Sequence, residues 1–198
     1  MSYEEIEVKF VIDHLATVRQ RILAIGAHLK TPRTYEDNVT FDTADRQLRR
    51  QGRLLRLRRD QHNIVTYKEP GSTKHRDFKV LREYEVNVSD FAQMHAILEK
   101  IGLRPTLRYE KYRETFTYKN AELLLDETPC GIFLEIEGPQ ETIRTIAAQL
   151  GIDFKTRLTA GYGEIFEAIC TTYNLQLTDI TFDNFSHLNI DVHICNLT

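Results

Sequence analysis

The stretch Glu5-Ile6-Glu7-Val8-Lys9-Phe10 alternates strictly. Ile6, Val8 and Phe10 fall on one face of a strand and Glu5, Glu7 and Lys9 on the other, because side chains change sides at every residue. An antiparallel strand with one wet face reads the same way, so the stretch alone predicts a plain solvated face. Recurrence changes that reading. The charged face returns in five later strands, always as acid pairs or basic pairs. Leu54 to Arg59 sets Arg56 and Arg58 against Leu55 and Leu57. Val80 to Val88 sets Glu83 and Glu85 against Val80, Tyr84, Val86 and Val88. Lys111 to Tyr118 groups Lys111, Arg113 and Thr115 against Tyr112, Phe116 and Tyr118. Phe133 to Glu137 turns Glu135 and Glu137 away from Leu134 and Ile136. Ile64 to Lys68 and Leu123 to Asp126 read as hairpin partners.

Helices separate the strands. Asp13 is the expected N-cap of a helix with Leu15, Val18, Ile22 and Ile25 at helical spacing and Gly26 as its stop. Asp90, with Gln93 in capping-box position, opens a second, carrying Phe91, Met94, Leu98 and Ile101 up to Gly102. Pro139 suits the first turn of a third, with Ile143, Ile146, Ala147 and Leu150 before Gly151. Tyr162, Ile165, Phe166 and Ile169 mark a last one. Pro32 and Pro105 are expected in connections, Asp42-Thr43-Ala44-Asp45 in a turn, and Gly71 to Asp77 in a mobile polar loop. A strand with a Glu pair running into a helix that ends in apolar-Gly occurs three times, and the first two units continue into Tyr35-Glu36 and Tyr109-Glu110. That repeat fits duplication as well as an ordinary α+β chain. Residues 1–173 are expected to form one domain, with 174–198 an unplaced extension.

Composition sets the outer bounds. The chain has 198 residues, 41% hydrophobic and 28% charged, ordinary for a globular protein with a real core. A net charge of −3 disfavours a nucleic-acid binder driven by overall positive charge. Seven arginines nevertheless crowd between Arg46 and Arg59 with no acid among them. Cys130, Cys170 and Cys195 are odd in number and scattered, which suits a reducing cytoplasm better than disulfides, and no spacing suggests zinc. No signal peptide or membrane-length apolar run is visible.

If helices cover the apolar faces, the charged faces look either at water or into a closed sheet. A closed interior would hold Glu5, Glu7, Glu83, Glu85, Asp126, Glu135 and Glu137 beside Lys9, Arg56, Arg58, Lys68, Lys111 and Arg113. Charges buried together are costly unless ligands satisfy them. Clustered carboxylates are hard oxygen ligands suited to Mg²⁺ or Mn²⁺. Guanidinium forks and lysine point charges suit phosphate oxygens. No glycine-rich phosphate loop is present. The chemistry predicted is a polyphosphate held between metals and cations.

The residues also resemble the CYTH family, the triphosphate tunnel metalloenzymes. Glu5-Ile6-Glu7-Val8-Lys9 is similar to that family's ExExK signature. The resemblance continues through Phe41-Asp42-Thr43, Leu55-Arg56-Leu57-Arg58, Thr66-Tyr67-Lys68, Arg82-Glu83-Tyr84-Glu85, Lys111-Tyr112-Arg113, Leu125-Asp126-Glu127 and Gly131 to Glu137. It implies an α+β fold: a closed antiparallel tunnel of eight strands with a charged interior and helices packed outside. It implies Glu5, Glu7, Glu83, Glu135 and Glu137 as metal ligands, although which of Glu83 and Glu85 reaches a metal stays open. Lys9, Arg56, Arg58, Lys68, Lys111 and Arg113 would grip the triphosphate, and Lys9, Glu85 and Asp126 would serve catalysis. Arg46, Arg49, Arg50 and Arg59 are expected on the solvated surface. Family members often carry a tyrosine where this chain has Thr40, which puts a water-activating tyrosine in doubt.

Three functions follow. The first is metal-dependent hydrolysis of a triphosphate (inorganic triphosphate, ATP or thiamine triphosphate). The second is a class IV adenylyl cyclase, making cyclic AMP and pyrophosphate. The third is a polyphosphate-binding module without turnover, which the seven acids argue against. The expected partner is a small triphosphate, not nucleic acid or a membrane, and the expected assembly a monomer or homodimer.

Overall fold

A computed structural model describes residues 3–71, 75–195 and 197. Its strands are β1 (Tyr3–Val11), β2 (His28–Asp42), β3 (Leu54–Arg59), β4 (Asn63–Pro70), β5 (Lys79–Val88), β6 (Arg104–Tyr118), β7 (Ala121–Thr128) and β8 (Gly131–Glu137). Its helices are α1 (Leu15–Ala24), α2 (Gln47–Arg50), α3 (Phe91–Lys100), α4 (Gln140–Gln149), α5 (Tyr162–Tyr173) and α6 (Phe182–Phe185). All strand pairs are antiparallel and close into a ring, β1-β5-β4-β3-β2-β6-β7-β8. Closure leaves no strand edge unpaired and gives every strand an inner and an outer face.

The ring is symmetric in its connectivity. Exchanging β1–β4 for β5–β8 reproduces the same order of neighbours. The strand-helix repeat of the first two units therefore has a topological counterpart. It does not extend to side-chain direction. Tyr35 is 40% exposed on the outside, whereas Tyr109 is 6% exposed and turned inward, because a one-residue offset flips a strand side chain to the other face.

Three apolar cores pack against the ring, two on its outer faces and a third against Tyr109 and Phe133, which share the inner faces of β6 and β8 with Lys111 and Glu135. Val8, Phe10, Leu123, Leu125, Leu134 and Ile136 meet Ile22 of α1 and Ile143 and Ile146 of α4. Val39, Phe41 and Leu57 meet Leu98 of α3. Tyr109 and Phe133 meet Ile165, Phe166 and Ile169 of α5, together with Ile180, Phe185, Val192 and Cys195 from the C-terminal chain. Each fully buried aliphatic or aromatic side chain contributes about 1.5–3 kcal/mol. The segment left unplaced by its sequence is thus part of a core. Its Ile180 bridges Tyr109 in parallel, beyond the end of β7.

Several expectations need correction. His14, not Asp13, is the N-cap of α1, and Asp13 instead takes His193 at 2.8 Å. Pro32 and Pro105 lie inside β2 and β6, each beside a register shift, where the missing ladder hydrogen bond is tolerated. The turn expected over Asp42 to Asp45 is present, but a short helix not expected from the sequence, α2, follows it. Its Leu48 and Arg49 N–H groups donate to the Asp42 carboxylate at 2.8 and 2.9 Å. The helix α5 is not the last, since the short α6 follows. The apolar face of β5 is not covered throughout: Tyr84 and Val86 stay exposed. The centre of the loop expected over Gly71 to Asp77, residues 72–74, lies outside the described residues.

Candidate active site

The inner faces enclose a cavity of about 1570 Å³. Glu5, Glu7 and Lys9 line it from β1, Arg56 and Arg58 from β3, and Lys68 from β4. Glu83 and Glu85 line it from β5, Lys111 and Arg113 from β6, and Glu135 and Glu137 from β8. Asp126 of β7 is fully buried behind this lining. Alternation on seven of the eight strands thus brings together every residue singled out in the sequence, with Asp126 one layer back.

The acids gather toward one side. Ligand oxygens of Glu5, Glu7 and Glu137 lie within 4.8 Å of one another. The register explains this, since Glu7 pairs with Glu137 across β1 and β8 and Glu5 follows two residues earlier on the same face. Gly138 turns the chain directly after Glu137; its φ is +150° and a Cβ would lie 2.9 Å from Ala121 Cβ. Burial, then Glu5, Glu7 and Glu135, push the Glu137 carboxyl well above its ordinary range. Glu7 stays below its range in spite of burial, held by Lys79 and Lys9. Glu83 is buried beside Glu5, and Lys68 Nζ bridges them at 2.5 Å to Glu5 and 2.8 Å to Glu83. Burial raises Glu83 to about 7, with Lys68 opposing and Glu5 adding to the shift. Glu85 sits further out, accepts from Thr66 at 2.7 Å and lies 3.7 Å from Arg56. Of that pair, Glu83 is the one beside the carboxylate cluster.

Three carboxylates with ligand oxygens this close form a donor set suited to a hard divalent metal. Mg²⁺ and Mn²⁺ fit these residues on that ground. Glu135 is placed differently. Lys9 Nζ lies 2.8 Å from Glu135 and 2.9 Å from Glu7, and Arg113 Nη2 reaches Glu135 at 2.7 Å. Against the effect of burial, Lys9, Arg113 and Lys111 hold its carboxylate well below the usual range. Glu135 therefore joins the metal-suited cluster to the cations.

The cations line the rest of the wall. Lys111 Nζ lies 2.9 Å from Asp126 and 3.5 Å from Glu36. Arg56 is buried, with Nη2 3.2 Å from Thr66 and Nη1 3.4 Å from the Tyr109 hydroxyl. Its Nε is buried without a hydrogen-bond partner. Arg58 is paired with Asp60 at 3.0 Å. Arg46, Arg49, Arg50 and Arg59 of the arginine-rich stretch are exposed, as expected. Arg46, Arg49 and Arg53 line the cavity mouth, and Arg49 binds Glu167 of α5. Arg50 pairs with Asp45, and Arg59 with Asp37.

Four inward residues were not singled out by sequence. Lys79 lies 3.0 Å from Glu7, and carrying the alternation of β5 back from Glu83 would have found it. Tyr109 shares the face of Lys111, and Glu36 that of Thr40, opposite the apolar Val39 and Phe41. Glu36 is held at about 2, against burial, by Lys111, Arg113, Arg58 and Arg56. Tyr162 had no signal. It reads as a helix core position, yet its hydroxyl donates to Asp126 Oδ2 at 2.5 Å. Thr40 donates no phenol and instead meets Thr106 at 2.9 Å.

Known proteins share this architecture. A candidate adenylate cyclase from Vibrio parahaemolyticus superposes with a TM-score of 0.73 at 21% identity, covering 83% of this chain and 98% of that one. A Pyrococcus horikoshii protein gives 0.70 at 23%, covering 80% and 96%. A Hippeastrum protein, described as a candidate adenylyl cyclase with a dominant triphosphatase activity, gives 0.60 at 18%, covering 82% and 95%. No curated protein sequence matches the chain. The sequence profile of the CYTH domain matches residues 4–160. With a charged tunnel of eight strands behind that match, the chain belongs to the CYTH family.

Proposed function

We propose that this protein hydrolyses a triphosphate inside its tunnel in a divalent-metal-dependent reaction. The observation that carries the reading is the Glu5, Glu7 and Glu137 cluster facing one cavity with Lys9, Arg56, Arg58, Lys68, Lys111 and Arg113. Mg²⁺ or Mn²⁺ held by those carboxylates, with Glu83 and Glu135 around them, would supply Lewis-acid polarisation of the phosphoryl centre. Arg56, Arg58, Lys68, Lys111 and Arg113 bind phosphate oxygens and neutralise charge as the bond breaks. Lys9, between Glu7 and Glu135, serves the phosphoryl group nearest the metal side. Asp126 aims Lys111 and Arg113. Glu85, whose side chain is 34% exposed, is the acid with most access to water and the one assigned to orienting it. The Hippeastrum relative's triphosphatase activity supports hydrolysis by analogy.

Cyclisation of ATP is the second reading, favoured by the size of the cavity, which leaves room beyond a triphosphate for a nucleoside. A pure binding module is disfavoured because Arg49, Arg50, Arg58 and Arg59 already have acidic partners. Three free cysteines fit a reducing, cytoplasmic setting. Among the described residues no helix is long and apolar enough to cross a membrane.

Product analysis tests the proposal. Purified protein is incubated with Mg²⁺ or Mn²⁺ and, separately, inorganic triphosphate, ATP and thiamine triphosphate. Orthophosphate release is the expected result. Cyclic AMP with pyrophosphate from ATP would replace hydrolysis by cyclisation, and no turnover of any substrate would overturn both.

A further inference from the structure

We propose that Tyr162 is a positioning residue for the cation array, acting through Asp126 from a helix outside the matched CYTH region. The inference rests on the triphosphate reading above. The matched region ends at residue 160, two residues before Tyr162. The chain leading into α5 is fastened to β1 beside the tunnel. Lys9 N–H donates to Leu158 O at 2.9 Å and Leu158 N–H to Lys9 O at 2.7 Å. That attachment delivers Tyr162 to the inner wall. Its ring centroid lies 5.0 Å from Lys111 Nζ and 5.5 Å from Lys9 Nζ, within cation–π range of both. Phe133 meets the ring edge-on at 5.6 Å and Tyr109 lies at 5.9 Å, so its orientation is set by packing.

The hydroxyl completes Asp126. A carboxylate offers about four lone-pair sites. Arg113 Nε takes Oδ1 at 2.6 Å and Arg113 Nη2 takes Oδ2 at 2.6 Å. Lys111 Nζ and Tyr162 Oη both reach Oδ2, at 2.9 and 2.5 Å. Asp126 is fully buried, so no water can replace a lost donor without opening the wall. With the phenol present, Asp126 shares its charge among three donors and leaves part of Lys111 and Arg113 free to face the cavity. Without it, the carboxylate draws the two cations toward itself and away from phosphate oxygens.

The test uses Tyr162→Phe, which keeps the ring and removes only the hydroxyl. Steady-state kinetics on inorganic triphosphate with Mg²⁺ are measured alongside calorimetric binding of triphosphate without metal. The expected result is a rise of about tenfold in KM and in the metal-free Kd, the size for one hydrogen bond to a charged group, with kcat changed no more than about twofold. A merely structural role would lower the melting temperature and leave KM and Kd alone, and that result overturns the proposal. A double-mutant cycle adds a second reading. If Tyr162 acts through Asp126, Asp126→Asn with Tyr162→Phe weakens binding no more than Asp126→Asn alone. Independent, multiplying effects overturn it. Wild-type protein that neither binds nor cleaves triphosphate removes the functional reading itself, and this inference with it. Normal wild-type turnover with an unaltered variant removes the inference alone.

Discussion

Arg113 holds Asp126 with both prongs of its guanidinium, Nε to Oδ1 and Nη2 to Oδ2, each at 2.6 Å. The two residues are cross-strand partners on β6 and β7, so the contact is fixed by register. Asp126 is fully buried and also carries Lys111. Removing one charge from such a group leaves the others unpaired. Asp126→Asn is expected to lower stability by about 3 kcal/mol, read from urea unfolding. A loss below about 1 kcal/mol would show that water enters this part of the wall.

The acidic cluster makes the opposite prediction. Glu5, Glu7 and Glu135 crowd Glu137 in the metal-free protein. Glu137→Gln is expected to leave the metal-free melting temperature unchanged or raised, while Mg²⁺-dependent phosphate release falls by at least about 100-fold. Glu7→Gln should lose activity equally but, because Lys9 and Lys79 need its charge, should also lose stability. Wild-type turnover in either variant would remove these residues from the site.

Glu36 is an acid among cations that would bind a polyanion. Glu36→Gln is expected to lower KM for triphosphate and to reduce stability, a trade readable from kinetics and a melt of the same sample. Its folded pKa of about 2 lies below the usual carboxylate value of 4.5. Its contribution, about 3 kcal/mol at most, is therefore present above pH 4.5 and lost as pH falls toward 2. The stability difference between wild type and Glu36→Gln should narrow over that window, and a constant gap would contradict the assignment.

Cys130 gives a check at high pH. Burial pushes its thiol from 9.0 up to about 11. The folded state then binds more protons than the unfolded chain between pH 9 and 11, so stability should fall over that range by about 2–3 kcal/mol. Cys130→Ala should flatten that part of the pH profile. In native protein at pH 8 the Cys130 thiol should resist alkylation.

The Arg49–Glu167 pair between α2 and α5 is exposed on both sides. Its removal by Arg49→Ala is expected to cost less than about 1 kcal/mol. A larger loss would mean that α5 depends on this contact more than on Ile165, Phe166 and Ile169 packed beneath it.

Alternation carried most of the fold. Ile6, Val8 and Phe10 against Glu5, Glu7 and Lys9 define inner and outer faces without any tertiary knowledge, because a strand has a period of two. The same rule placed Arg56, Arg58, Lys68, Lys111 and Arg113 on inner faces. It stopped where strands continued past a proline, so that Pro32 and Pro105 hid the full lengths of β2 and β6, with Tyr109 among the residues they carry. It also stopped at Lys79, a single cation ahead of an acid pair.

What the sequence by itself determined was the facing of each strand and the kinds of charge that would meet. Which charges meet was decided by the closed register. Glu7 lies opposite Glu137 and Arg113 opposite Asp126 only because the ring closes with that stagger. Tyr162 was beyond any periodic rule: a helix residue enters the tunnel because Leu158 pairs with Lys9, a contact between positions 149 residues apart. Local propensity sees neighbours in the chain, while ring closure and long-range pairing choose neighbours in space, and the chemistry of this site depends on the second.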